Sequence, residues 1–212
     1  MRTDHLINLL AQDTSTRSMP LSRVWGIAFV IATFAAAIAF FVLIGPRPDF
    51  LTAAHTVRFV FKFVTTLALV VLALVLLRAL ARPGADISRP AWLMLVVPAF
   101  LAVAVAAEFA TLPFTQWQSA WWGSNIVICL TFIPLIGVVP LAVFLLALRH
   151  GAPSRPRLAG GVAGLLAGGI AATFYAAHCT DDSPLFVATW YSVAISSLVL
   201  LGTLFGPKIA RW

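Results

Sequence analysis

A chain of 212 residues that is 61% hydrophobic and 10% charged cannot keep a soluble surface, because soluble domains carry about 25% charged residues. Its formal charge of +7 is distributed in a way that excludes a nucleic-acid face. Of the Lys and Arg residues, Arg2, Arg17, Arg23, Arg78, Arg82, Arg89, Arg149, Arg155, Arg157, Lys208 and Arg211 fall on one set of surfaces between apolar runs. Only Arg47, Arg58 and Lys62 fall on the other.

Six apolar runs each approach the roughly 20 residues a helix needs to cross a bilayer: Val24 to Ile44, Val57 to Leu77, Ala91 to Thr111, Asn125 to Leu148, Leu158 to His178 and Leu185 to Phe205. A transmembrane barrel would instead show alternating segments about ten residues long. The expectation is an all-α, polytopic membrane protein, a bundle of six transmembrane helices. Basic residues are retained in the cytoplasm during insertion, which places both termini there. The basic surfaces then meet anionic lipid, with no direct contact to nucleic acid. The first run exceeds the core of a secretory signal and reads as a retained helix. The chain divides into a cytoplasmic segment 1–23, a transmembrane domain 24–206 and a basic tail 207–212.

The N-terminal segment begins with a helix after a capping Thr3, over Asp4 to Ala11. Leu6, Leu9 and Leu10 share one face, with Ile7 at its margin. That stripe either lies on the lipid surface or docks into a groove on a soluble partner. Gln12 to Pro20 reads as a polar tether.

After the first run, Gly45-Pro46-Arg47-Pro48-Asp49 forms a firm turn, since proline removes backbone donors and restricts its neighbours. Arg58 and Lys62 follow early in the second run, at a depth comparable to Glu108 near the end of the third. A charge in hydrocarbon costs at least about 2.5 kcal/mol on insertion scales, so Glu108 is expected to pair with Lys62 or Arg58. The loop Leu112 to Ser124 carries Trp117, Trp121 and Trp122, as expected of an aromatic belt. The fourth run contains Pro134 and Pro140, marking either a hinge or a packing solution. Gly160, Gly164, Gly168, Ala172 and Ala176 recur every fourth residue along the fifth, a small-residue stripe for close helix contact.

The polar turn His178-Cys179-Thr180-Asp181-Asp182-Ser183-Pro184 separates the last two runs. It holds Cys179, one of two cysteines, and the other, Cys129, lies one turn into the fourth run on the same side. Both thiols are either small buried hydrophobes or, beside His178, Asp181 and Asp182, a point that binds a soft metal or responds to oxidant. No CxxC or HExxH spacing supports a permanent zinc site. A disulfide would need the Cα atoms about 4.4–6.8 Å apart.

The stretch His178 to Tyr191, with Gly45, Arg47-Pro48-Asp49, Gly206-Pro207 and Arg211-Trp212, resembles the NrsF-type anti-sigma-factor family over essentially the full length. The resemblance implies an inner-membrane negative regulator that holds an extracytoplasmic-function sigma factor and releases it under metal or oxidative stress. It maps the family's signal-responsive cysteines onto Cys129 and Cys179. It requires no cofactor, although transient heavy-metal binding at Cys129, Cys179 and His178 is compatible with it. No loop is large enough for a soluble catalytic domain, and no nucleophile-base set lies across the runs, so an enzyme is not expected. The alternative is a small transporter or channel using Lys62, Glu108 and the fourth run. Oligomeric state is not legible.

Overall fold

The computed structural model describes Thr3 and residues 19–210 of the chain, and among these all regular structure is helical. Six helical stretches are long and apolar enough to cross a membrane: Leu21–Leu43, Val57–Leu80, Ser88–Thr111, Phe114–Leu148, Pro156–Ala176 and Pro184–Ile209. They are called spans one to six below. Each overlaps one of the six expected runs, and the differences lie at breaks and ends. The segment carrying Asp4, Leu6, Ile7, Leu9 and Leu10 lies outside the described residues, as do Arg211 and Trp212.

Span three is two helices, Ser88–Leu93 and Val96–Thr111. Pro98 has no N–H to offer the carbonyl of Met94, so a rung of the ladder is missing there. The chain tightens instead, with Leu95 N–H donating to Trp92 O at 3.0 Å. Span four behaves differently. A separate helix, Phe114–Trp122, leads into Ile126–Leu148, which continues through Pro134 and Pro140 without ending.

Span five is the centre of the bundle. In its most apolar window 78% of the residues are buried, against 11% in span three. The glycine stripe explains how it comes to be enclosed. A side chain at Gly160 would strike the carbonyl of Gly202, and one at Gly164 would strike that of Leu198. From the other side, a Cβ at Gly206 would come within 2.6 Å of Pro156 O. Spans five and six therefore touch backbone to backbone near the end carrying Arg155, Arg157 and Lys208. In lipid, where apolar burial gives helices no preference for one another, such close van der Waals approach is a main source of association. Span one packs on span four, where Trp25 stacks on Phe144 with ring centroids 6.5 Å apart. At the same basic end, Ala152 N–H donates to Ala81 O at 3.0 Å, joining the loops that follow spans two and four.

Candidate functional site

The site is built where span five stops. Its helix closes at Ala176, and Pro184 opens span six at a position where its missing N–H has no consequence. The seven residues between, 177–183, run across the end of the bundle and are fastened at three places.

The first fastening is the turn after span one. Arg47 N–H donates to Ala177 O at 3.0 Å, and His178 Nδ1 lies 2.9 Å from Gly45 O. A carbonyl only accepts, so Nδ1 carries a proton. Gly45 sits at φ +64°, a left-handed conformation that favours glycine. The Arg47 guanidinium forks onto Asp49 at 2.7 Å through both Nε and Nη2, and its Nη1 reaches Asp182 Oδ2 at 3.1 Å. Asp49, followed by Asp182, raises the pKa of Arg47 further above its ordinary value, and the Arg47 hydrogen bond lowers that of Asp49. Lys62, from span two, is fully buried. Its ammonium sits 2.5 Å from Asp182 Oδ1 and donates to Cys179 O at 2.8 Å. Arg47 also donates to that carbonyl at 3.3 Å.

The second fastening is Asp181. Its carboxylate accepts from the backbone N–H groups of Ser124 (2.9 Å) and Asn125 (2.8 Å) and from Asn125 Nδ2 (2.9 Å). These are donors at the start of Ile126–Leu148, where the helix leaves N–H groups unpaired and its dipole favours negative charge. A carboxylate from a loop 56 residues away thus serves as cap to the helix that carries Cys129. Gly123, at φ +56°, makes room for it: a Cβ there would lie 2.6 Å from Asp181 Cγ and 2.7 Å from Phe186 Cδ2.

The third is Glu108 at the end of span three. Its Oε2 accepts from Ser183 Oγ at 2.8 Å and from Leu185 N–H at 2.9 Å, at the start of span six. Its Oε1 faces Arg58 Nη2 at 3.5 Å. Of the two partners expected for Glu108, Arg58 is the one found. The intramembrane pair Lys62–Glu108 is therefore corrected: Lys62 is held by Asp182, which the turn 178–184 brings between them.

Both cysteines are free and fully buried. Cys129 stands one turn into its helix, its N–H bonded to Asn125 O at 2.8 Å. The Cys179 sulfur lies 3.7 Å from Asp181 O. Tyr175 and Tyr191 pack edge to face at 5.6 Å, and the Tyr175 hydroxyl donates to Asn125 O at 3.4 Å. The buried hydroxyl of Tyr191 has no hydrogen bond of good geometry and neighbours the Cys179 thiol. Burial pushes the Cys179 thiol up from its ordinary pKa, opposed by the Lys62 charge and a hydrogen bond with the Asp181 backbone. A thiol, unlike a thiolate, is neither a strong nucleophile nor a metal ligand.

Among the described residues no three His, Cys, Asp or Glu side chains converge as metal ligands. Cys129, Cys179 and His178 therefore do not form a ready-made set. Asp181 and Asp182, singled out in the sequence beside the thiols, are engaged as a helix cap and an ion-pair partner. Arg47, Gly123, Ser124, Asn125 and Ser183 were not anticipated as parts of the site. For Arg47 alone there was a signal. This end of the chain holds three cations and four carboxylates, Asp49, Glu108, Asp181 and Asp182, so charge pairing throughout was available to be inferred. Trp121 and Trp122 cluster with Trp190, whose Nε1 donates to Trp121 O at 2.8 Å, while Trp117 packs on Phe109 and Phe114.

The fold and the site define a class: an all-helical chain with six stretches long and apolar enough to cross a membrane, whose last loop is fastened to the turn after span one and to spans two, three and four around two buried thiols. Comparison with known sequences narrows this. The family described as "Negative regulator of sigma F" (NrsF) matches residues 9–212. The "Anti-sigma-F factor NrsF" of Caulobacter vibrioides (strain NA1000 / CB15N) is 34% identical, and the "Probable anti-sigma-F factor NrsF" of Azospira oryzae (strain ATCC BAA-33 / DSM 13638 / PS) is 32% identical, each over the whole of both chains. No solved structure matches. The chain belongs to the NrsF family of anti-sigma factors, a regulatory and non-enzymatic group whose partner is a sigma factor.

Proposed function

We propose that this anti-sigma factor resides in the bacterial inner membrane with both termini in the cytoplasm. It holds a sigma factor of the extracytoplasmic-function type there and releases it when Cys129 and Cys179 are oxidised or capture a heavy metal. The grip is assigned to the N-terminal segment, through Asp4 and the stripe Leu6, Ile7, Leu9 and Leu10. The strong bias of Lys and Arg to one end supports the orientation. That same bias supports a periplasmic position for the thiols.

The observation that carries the reading is the route between the two cysteines. Cys179 lies two residues from Asp181, and Asp181 caps the helix on which Cys129 is the first turn. A change at either sulfur therefore disturbs the contact between spans four and five. Moving a partner from mostly bound to mostly free needs about 5.5 kcal/mol of differential binding, and a disulfide or a ligated metal supplies energy on that scale.

Two measurements test this. Crosslinking in native membranes followed by affinity capture of the tagged chain should recover a sigma factor, and its absence would remove the partner. Replacing Cys129 and Cys179 by Ser should abolish stress-induced release of sigma-dependent transcription while leaving resting repression intact. An unchanged response would take the thiols out of the mechanism.

A further inference from the structure

We infer that residues 178–184 form a cover which keeps both thiols out of reach until its polar fastenings let go, and that Asp181 and Lys62 are the positioning residues that set how often it opens. This rests on the thiol reading above for its biological consequence, though the cover itself is a property of the fold. Two sets of observations lead to it.

The first is the contrast between the thiols and the groups that guard them. Cys129 and Cys179 have no exposed surface. Asp181 and Asp182, only two and three residues beyond Cys179, line an open polar cleft of about 460 Å³ together with Arg58, Thr180 and Ser183. Neither cysteine lines it. Water and small polar reagents therefore meet the fastenings before they meet the sulfur.

The second is how those fastenings are shared between the two cysteines. Lys62 and Arg47 both hold the carbonyl of Cys179 itself, so Cys179 cannot swing outward while they are in place. Asp181 joins the loop to the start of the Cys129 helix through four donor groups: Ser124 N–H and Oγ, Asn125 N–H and Nδ2. Releasing Asp181 uncaps that helix and lifts the loop from it in one event, which uncovers both thiols. Releasing Lys62 frees Cys179 while the cap on the other helix remains. The two residues thus have distinguishable consequences. The Tyr191 hydroxyl, buried without a good hydrogen bond beside Cys179, marks a place where the packing beneath the cover is not polar-satisfied.

The test uses the full chain in lipid nanodiscs, where both membrane faces are accessible and the result does not depend on orientation. The probe is a sulfonated maleimide. Each thiol adds its S–H across the maleimide double bond, forming one C–S and one C–H bond with nothing leaving. Protected groups that react only from a minor open state are slowed by the population of that state, so both wild-type cysteines should react about 100-fold more slowly than after denaturation in SDS. Asp181→Asn should accelerate both by about 10-fold, and Lys62→Met should accelerate Cys179 well beyond Cys129. Asn125→Ala, which removes only a side-chain donor, provides a milder opening of the cap should the charge change prevent folding. Asp86→Asn, the same loss of charge at an exposed carboxylate that touches none of these fastenings and accepts from Ser88 N–H, should leave both rates within about 2-fold. Far-UV circular dichroism and a thermal midpoint well above the assay temperature establish that each variant is folded.

Fast labelling of the resting wild-type thiols would overturn the proposal. So would wild-type rates in both Asp181→Asn and Asn125→Ala, or an equal acceleration in Asp86→Asn. Because the readout is the chemistry of the sulfur atoms, it is separate from the transcription assay. A cover present without any transcriptional role for the cysteines would sink the sensing reading and leave this inference standing.

Discussion

The two ends of the bundle are held together by different physics. At the end bearing residues 178–184, charges do the fastening: each of Arg47, Arg58 and Lys62 meets a carboxylate, and the pairs join four separate loops and spans. At the other end, Arg78, Arg82, Arg149, Arg155 and Arg157 have no ion pair among the described residues, and the helices are joined instead by backbone contact at Gly160, Gly202 and Gly206. One end has committed its charges to its own shape. The other keeps its guanidinium groups out of ion pairs among the described residues. A region closed by polar bonds can be opened by chemistry at those bonds, whereas a glycine seam stays shut unless the helices themselves separate.

The largest effect should come from breaking the seam. Gly160→Leu places a side chain into the carbonyl of Gly202 with no flexible neighbour to yield. Overpacking of this kind costs about 3 kcal/mol or more, and thermal unfolding in detergent should show it as loss of the native transition. An unaltered midpoint would mean that spans five and six do not meet as described.

Next comes the opposite end. Lys62→Met removes the ammonium's bonds to Asp182 and to the Cys179 carbonyl, but Asp182 keeps Arg47 at 3.1 Å and faces an open cleft. The loss should therefore be about 1–2 kcal/mol, short of that for a buried charge left with no partner. Lys62→Met combined with Asp182→Leu should recover part of the loss, whereas Lys62→Met combined with Glu108→Leu should be near additive. Recovery in the second combination but not the first would restore the Lys62–Glu108 pair that the fold displaces.

The smallest effect is in pH. Burial holds the Cys179 proton more tightly in the folded chain than in the unfolded one. Its contribution is therefore fully present below the ordinary thiol pKa of about 8.5 and is lost as pH rises through the higher folded value. The midpoint of the wild type should fall relative to that of Cys179→Ser between neutral and alkaline pH. Parallel curves would show that the thiol is solvated.

Much of this was legible in the sequence, for reasons of range. The spans are set by runs of apolar residues, and the glycine stripe by a spacing of four, both local patterns. The depth argument likewise brought Lys62, Arg58 and Glu108 to one level correctly. It failed on the choice of partner because Asp182 lies 120 positions from Lys62, and nothing local declares that a loop will cross there. For the same reason Asp181 and Asp182 read as ligands beside a thiol. Only the fold reveals that one faces the start of the helix Ile126–Leu148 and the other a buried ammonium. The break at Met94 follows from Pro98, whereas Pro134 and Pro140 leave their helix continuous. The same residue type gave two outcomes, in a span with 33% of its most apolar window buried and in one with 11%.

Gly123 carries a consequence for inheritance. Its left-handed backbone and the absence of any space for a Cβ against Asp181 make positions 123 and 181 a single heritable unit, although 58 residues separate them. A descendant that gains a side chain at the first must surrender the acid at the second or find another way to start its fourth helix. Among related chains, the two positions should change together or not at all.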